Sequence, residues 1–152
     1  MTPMRSQRAA LACIILSLAG LLISAYLGFI HVALLRGELV GGVGCGAVGS
    51  IFNCHAVTSG RFGSAFGMPL ALWGLLGYLA ALTLSVIAWR CSQQTAPALS
   101  SLALLGLLFI VIDAALLFLM ATQIHYFCPL CLITYAINVL LVAAVKFGTK
   151  QS

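Results

Sequence analysis

Phe127-Cys128-Pro129-Leu130-Cys131-Leu132-Ile133-Thr134-Tyr135-Ala136-Ile137-Asn138 opens the last apolar segment of the chain. From residue 126 to 145 no charge interrupts it, long enough for a helix of about 20 residues to cross a bilayer. On such a helix Cys128, Cys131, Tyr135 and Asn138 recur at spacings of three and four and share one face. Both sulfurs then sit at the first turn, with the Tyr135 phenol about one turn deeper. A helix N-terminus offers unpaired N–H groups and partial positive charge, which favour a thiolate. The stretch thus predicts a redox-active dithiol where a membrane meets an aqueous compartment.

Composition sets the context. Of 152 residues, 63% are hydrophobic and 6% charged, and the mean hydropathy is +1.20. That excludes an ordinary soluble domain and predicts a single membrane domain over 1–152. The net charge of +5 comes from seven scattered basic residues, which make no stripe for nucleic acid.

Working outward gives an all-α, integral membrane four-helix bundle. Arg5 and Arg8 precede an uncharged run over 9–35, too long for a signal-peptide core of about 7–15 residues. It reads as the first span. A second runs over 69–89, with Pro69 suited to a first helical position. A third covers 98–122, and the fourth 128–146. Between the first two spans lies a long loop with Gly37, Gly41, Gly42, Gly44, Gly46 and Gly49 around Cys45. A short helical turn is expected at 50–57, carrying Cys54, then a glycine-punctuated aromatic strip at 61–67 lying at headgroup level. Long loops are usually functional.

Four spans put Arg5, Arg8, Arg90, Lys146 and Lys150 on one side, Arg36 and Arg61 on the other. Five against two places both termini in the cytoplasm of an inner (plasma) membrane protein. Cys45, Cys54, Cys128 and Cys131 then face the oxidising, extracytoplasmic side. Cys13 lies within the first helix and Cys91 on the cytoplasmic side, both read as inert.

Two cysteine pairs on one side of a membrane suggest a relay by thiol–disulfide exchange, two electrons at a time. The loop pair can meet a soluble partner, and the helix pair a lipid-soluble acceptor such as a quinone. No Rossmann, Walker or haem-attachment motif is present. Two other readings use the same residues. One is a metal-binding or transport module, the four thiols joined by His55 or His125. The other is a structural membrane protein whose disulfides brace its loops.

Asp113 interrupts the third span, and an intramembrane acid is functional by default. It is open to two roles: proton transfer to a reduced quinone, or a hydrogen bond to a hydroxyl on a neighbouring helix. His31, His55 and His125 fall near the outer face and read as solvated or headgroup-facing. His125 is the foremost candidate for a proton relay, three residues before Cys128. Trp73, Tyr78 and Trp89 read as packing and interface anchors.

Cys45 and Cys54, the segment Ser59-Gly60-Arg61-Phe62-Gly63-Ser64-Ala65-Phe66-Gly67 and the stretch from Phe127 to Asn138 together resemble the vitamin K epoxide reductase family in a bacterial form. The resemblance spans all four helices. The order of the pairs differs from DsbB-type oxidases, where the Cys-x-x-Cys belongs to the first loop. The resemblance implies that Cys45 exchanges with a separate thioredoxin-like (DsbA-like) partner. It further implies that Cys54 carries the mixed disulfide to Cys128, that Cys131 attacks the quinone (ubiquinone or menaquinone), and that Tyr135 donates to a quinone carbonyl. Electrons would thus leave the partner oxidised, supporting disulfide bond formation. Animal members place an asparagine near the start of the second span as a further quinone donor. Here Met68-Pro69-Leu70-Ala71 carries no amide.

Overall fold

A computed structural model of the chain describes residues 3–38 and 51–149. Helix α1 covers Pro3–Leu35 and the short α2 covers Cys54–Ser59. A hairpin of β1 (Ser64–Ala65) and β2 (Met68–Pro69) leads into α3 (Leu70–Arg90). A 3-10 turn over Ser92–Gln94 joins α4 (Thr95–Leu119), which runs on as a π-turn over Met120–Ile124 before α5 (Pro129–Thr149). Four of these helices are long and apolar enough to cross a membrane. The 21 residues of α3 span about 31 Å at a rise of about 1.5 Å per residue, close to the hydrocarbon thickness of about 30 Å. Each helix satisfies its main-chain hydrogen bonds internally, which hydrocarbon demands. Hydroxyls inside the spans fold back the same way: Ser85 donates to the Ala81 carbonyl and Thr122 to that of Phe118, each at 2.7 Å.

The bundle is held by small residues. Ala10, Cys13, Ser17, Gly20 and Ser24 recur at three and four along α1 and are all buried, on a helix that packs against both α3 and α5. Lipid is as apolar as leucine, so close approach of backbones, more than burial of large side chains, drives such packing. Large side chains such as Leu104, Val111, Phe118 and Phe147 point outward instead. At Gly20 the contact between spanning helices is tight, since a Cβ there would run into the Tyr78 ring. Gly20→Ala is expected to displace Tyr78 and cost about 1–3 kcal/mol, read as a lower thermal midpoint in detergent.

Two packed zones result. One gathers Ala10, Cys13, Ala81, Leu99, Leu102, Leu141 and Val145. The other gathers Leu27, Cys54, Met120 and Cys128. Cys13 is fully buried and free, and Cys91 is exposed and free.

The strip at 61–67 takes a form that composition did not announce. Phe66 and Gly67, with φ of 54° and 78°, are the two turn residues between β1 and β2. Positive φ at both positions is the mark of a type I′ hairpin. Trp73 closes over it, donating from Nε1 to the Ala65 carbonyl at 3.2 Å, while Phe66 meets its ring edge-on.

Candidate functional site

The first turn of α5 is shaped by Cys128 and Pro129. Pro129 is the first helical residue, where its missing N–H costs nothing. Cys128 therefore occupies the cap position. Its carbonyl accepts from Leu132 N–H at 3.0 Å, and its sulfur accepts from Cys131 N–H at 3.2 Å. Cys128 and Cys131 form a disulfide, with Cα atoms 5.2 Å apart. The two sulfurs differ in surroundings: Cys128 is 0% exposed, while Cys131 is half-buried and lines a cavity.

Cys54 begins α2 and is brought to Cys128 by the main chain. Phe127 donates to the Ile51 carbonyl at 2.9 Å, and Asn53 donates to the Phe127 carbonyl at 3.0 Å. This parallel bridge pairs Phe52 with Phe127, so residues 51–53 lie alongside the residue preceding Cys128. Asn53 also caps α2, its side chain accepting from Ala56 N–H at 3.1 Å. At the far end of α2, His31 Nδ1 donates to the Thr58 carbonyl at 2.9 Å. That fixes His31, which is 8% exposed, as a tie between α1 and α2, not the solvated residue its position suggests. Cys54 is 0% exposed, belongs to the same packed zone as Cys128 and is itself disulfide-bonded. Cys45 lies outside the described residues.

Below the disulfide a cavity of about 680 Å³ opens among α1, the hairpin, α3, α4 and α5. Drug-sized organic ligands occupy spaces of about 300–1,000 Å³. Its walls are largely apolar, with Leu70 and Ala71 from the start of α3 among them. Into it come Cys131 and, one helical turn further along α5, Tyr135. Asp113, Asn138 and Tyr78 also line it. Asp113 accepts from Asn138 Nδ2 at 2.7 Å, so its partner is an amide and not the hydroxyl expected. Tyr78 is 3% exposed and donates to Asn138 Oδ1 at 2.7 Å. It is a buried hydrogen-bonding residue and not an interface anchor. A phenol near the middle of an apolar helix was the available signal, because a buried Tyr hydroxyl usually needs a partner. Asn138 gave a weaker one, as a polar residue on the cysteine face.

His125 stands apart from this wall. It is exposed, with φ of 59°, where the chain leaves the π-turn, and its N–H closes that turn on the Met120 carbonyl at 2.9 Å. Among the described residues, no three His, Cys, Asp or Glu side chains are grouped as metal ligands would be.

A family model described as the vitamin K epoxide reductase family matches residues 11–145, nearly the whole bundle. The chain belongs to that family. No curated relative matches it. As a vitamin K epoxide reductase family member with four spanning helices, it is a multi-pass membrane redox enzyme. Family members use quinones; the apolar cavity here carries one cysteine sulfur, two phenols and one carboxyl.

Proposed function

We propose that the chain is a quinone-dependent thiol–disulfide oxidoreductase that reoxidises a thioredoxin-like partner on the extracytoplasmic side. The observation that carries this reading is the division of one disulfide between two surroundings. Cys128 is sealed in the packed zone with Cys54, while Cys131 faces the cavity.

A partner dithiol reduces the Cys45–Cys54 disulfide and leaves oxidised. The Cys54 thiolate attacks the Cys128 sulfur, forming the Cys54–Cys128 bond and releasing Cys131 as the leaving thiolate. The helix N-terminus stabilises that anion. Cys45 then resolves the mixed disulfide, and the Cys128/Cys131 pair holds the two electrons. A quinone, when bound, accepts two electrons and two protons and departs as the hydroquinone. Tyr135, beside Cys131, donates a hydrogen bond where negative charge develops. The apolar walls exclude water and bind the ring. The basic-residue count supports placing both termini in the cytoplasm, so that the pairs face the oxidising compartment.

The decisive test gives purified protein a reduced thioredoxin-like protein and follows quinone absorbance, with one quinone consumed per partner disulfide formed. Partner oxidation without quinone loss would defeat the proposal. Impermeant thiol reagents should reach Cys45 in the reduced protein from the outer face alone. Tyr135→Phe removes one hydrogen bond, about 1–1.5 kcal/mol, and should slow quinone reduction roughly tenfold, with exchange at the loop pair unchanged. An unchanged quinone rate would take the phenol out of the site.

A further inference from the structure

Three polar side chains from three helices meet in the wall of the cavity, and none takes part in the steps above. Tyr78 on α3 donates to Asn138 Oδ1, and Asn138 Nδ2 on α5 donates to Asp113 Oδ2 on α4, both at 2.7 Å. All three line the cavity. Asp113 and Glu38 are the chain's two acidic residues, and an acid placed mid-span is costly enough to need a reason.

The amide in the middle has a donor end and an acceptor end, so its orientation depends on what Asp113 carries. With Asp113 ionised, Nδ2 faces the carboxylate and Oδ1 receives the Tyr78 hydroxyl. With Asp113 protonated, its O–H donates and requires Oδ1. The amide then turns over, Nδ2 donates to Tyr78 Oη, and the phenol proton swings to the Thr134 carbonyl, already 3.4 Å away. In both arrangements the carboxyl, the amide and the phenol keep hydrogen-bond partners. The network can therefore gain and lose a proton without stranding a buried polar group. The other titratable groups lining the cavity are Cys131 and Tyr135 on α5. α1 contributes Ser24 and Leu27, which do not titrate, and no basic residue is among the described lining residues. Among the described residues no cation pins Asp113 in its charged form.

We propose that Asp113, held by Asn138 and Tyr78, is a proton store in the wall of the acceptor cavity, loaded when the cysteine pair is reduced with Cys131 held as its thiolate and emptied onto the acceptor's oxygen. This rests on reading the cavity as the quinone site. Reducing the Cys128/Cys131 pair brings in two electrons and two protons. Closing its S–S bond releases two electrons and two protons, and the quinone takes up all four. Cys131 leaves its disulfide as a thiolate and reacts as one, so the proton that accompanies the electrons and would otherwise sit on its sulfur needs a resting place until delivery. Asp113 holds it and ends the turnover ionised. Asn138 and Tyr78 are positioning residues that follow the proton by reorienting.

Infrared difference spectra of the protein, oxidised against partner-reduced and without quinone, test this first. A carboxylic-acid carbonyl band should rise on reduction, shift in deuterium oxide and vanish in Asp113→Asn. That variant keeps the size of the side chain and an acceptor oxygen. It should exchange thiols with the partner at the wild-type rate, while quinone reduction by the pre-reduced protein falls about a hundredfold. Tyr78→Phe should shift the acid band and slow quinone reduction less. A wild-type rate of quinone reduction in Asp113→Asn would overturn the proposal, as would loss of thiol exchange there, which would make Asp113 structural. Wild-type protein that shows the band yet reduces no quinone would overturn the reading of the site and the delivery step with it. Quinone reduction with no band would overturn the proton store alone.

Discussion

Cys131→Ser is expected to stop quinone reduction, a loss on the order of a thousandfold or more, as when one member of a catalytic unit is removed. Cys131 is the cysteine whose side chain lines the cavity, and its disulfide partner Cys128 is fully buried. A serine hydroxyl neither forms a disulfide nor carries electrons. Exchange at the loop pair should survive, because the sealed zone around Cys54 and Cys128 keeps both its sulfurs. With Cys131 gone, Cys45 alone can open the Cys54–Cys128 mixed disulfide, so a larger share of it than in the wild type should be held and be seen by mass spectrometry after non-reducing digestion. Quinone reduction that persists in this variant would mean that another residue delivers the electrons. A trapped bond between Cys54 and Cys131 in Cys128→Ser, as strong as the one expected here, would reverse the assigned order.

Cys54→Ser should be nearly as damaging, and not just with a protein partner. Cys128 has no exposed surface, so small dithiols in solution have no direct path to it, and Cys54 is its neighbour in the packed zone. Turnover driven by a small dithiol should therefore fall with turnover driven by a thioredoxin-like protein, each by about a hundredfold or more. If the small dithiol restores the full rate, Cys128 is open to solvent and the seal does not exist. Cys91→Ser offers the contrast, since that thiol is exposed between α3 and α4 and should be silent.

The spanning helices were legible because hydrocarbon imposes length and continuous apolarity, which show directly in sequence. The shared face of Cys131, Tyr135 and Asn138 was legible from helical period alone, and all three line the cavity. Other features left no trace that a residue-type reading could use. The π-turn before His125 rests on one changed main-chain bond, from His125 N–H to the Met120 carbonyl. The hairpin strands are two residues each, too short for an alternating pattern, so the strip was read by its aromatics. Tyr78 reads from the sequence as a packing and interface anchor, and its tie to Asn138 joins α3 to α5, a tertiary fact.

The bridge between residues 51–53 and Phe127 uses amide and carbonyl groups alone, which every residue except proline can supply. Its hydrogen bonds are indifferent to which side chains stand at 51, 52 and 127, so the joint that holds Cys54 beside Cys128 survives any substitution there that keeps the N–H and the packing of Phe127. Comparing side-chain identities at those sites would find little to mark one of the protein's main joints, whereas proline at 53 or 127 would cut the wire.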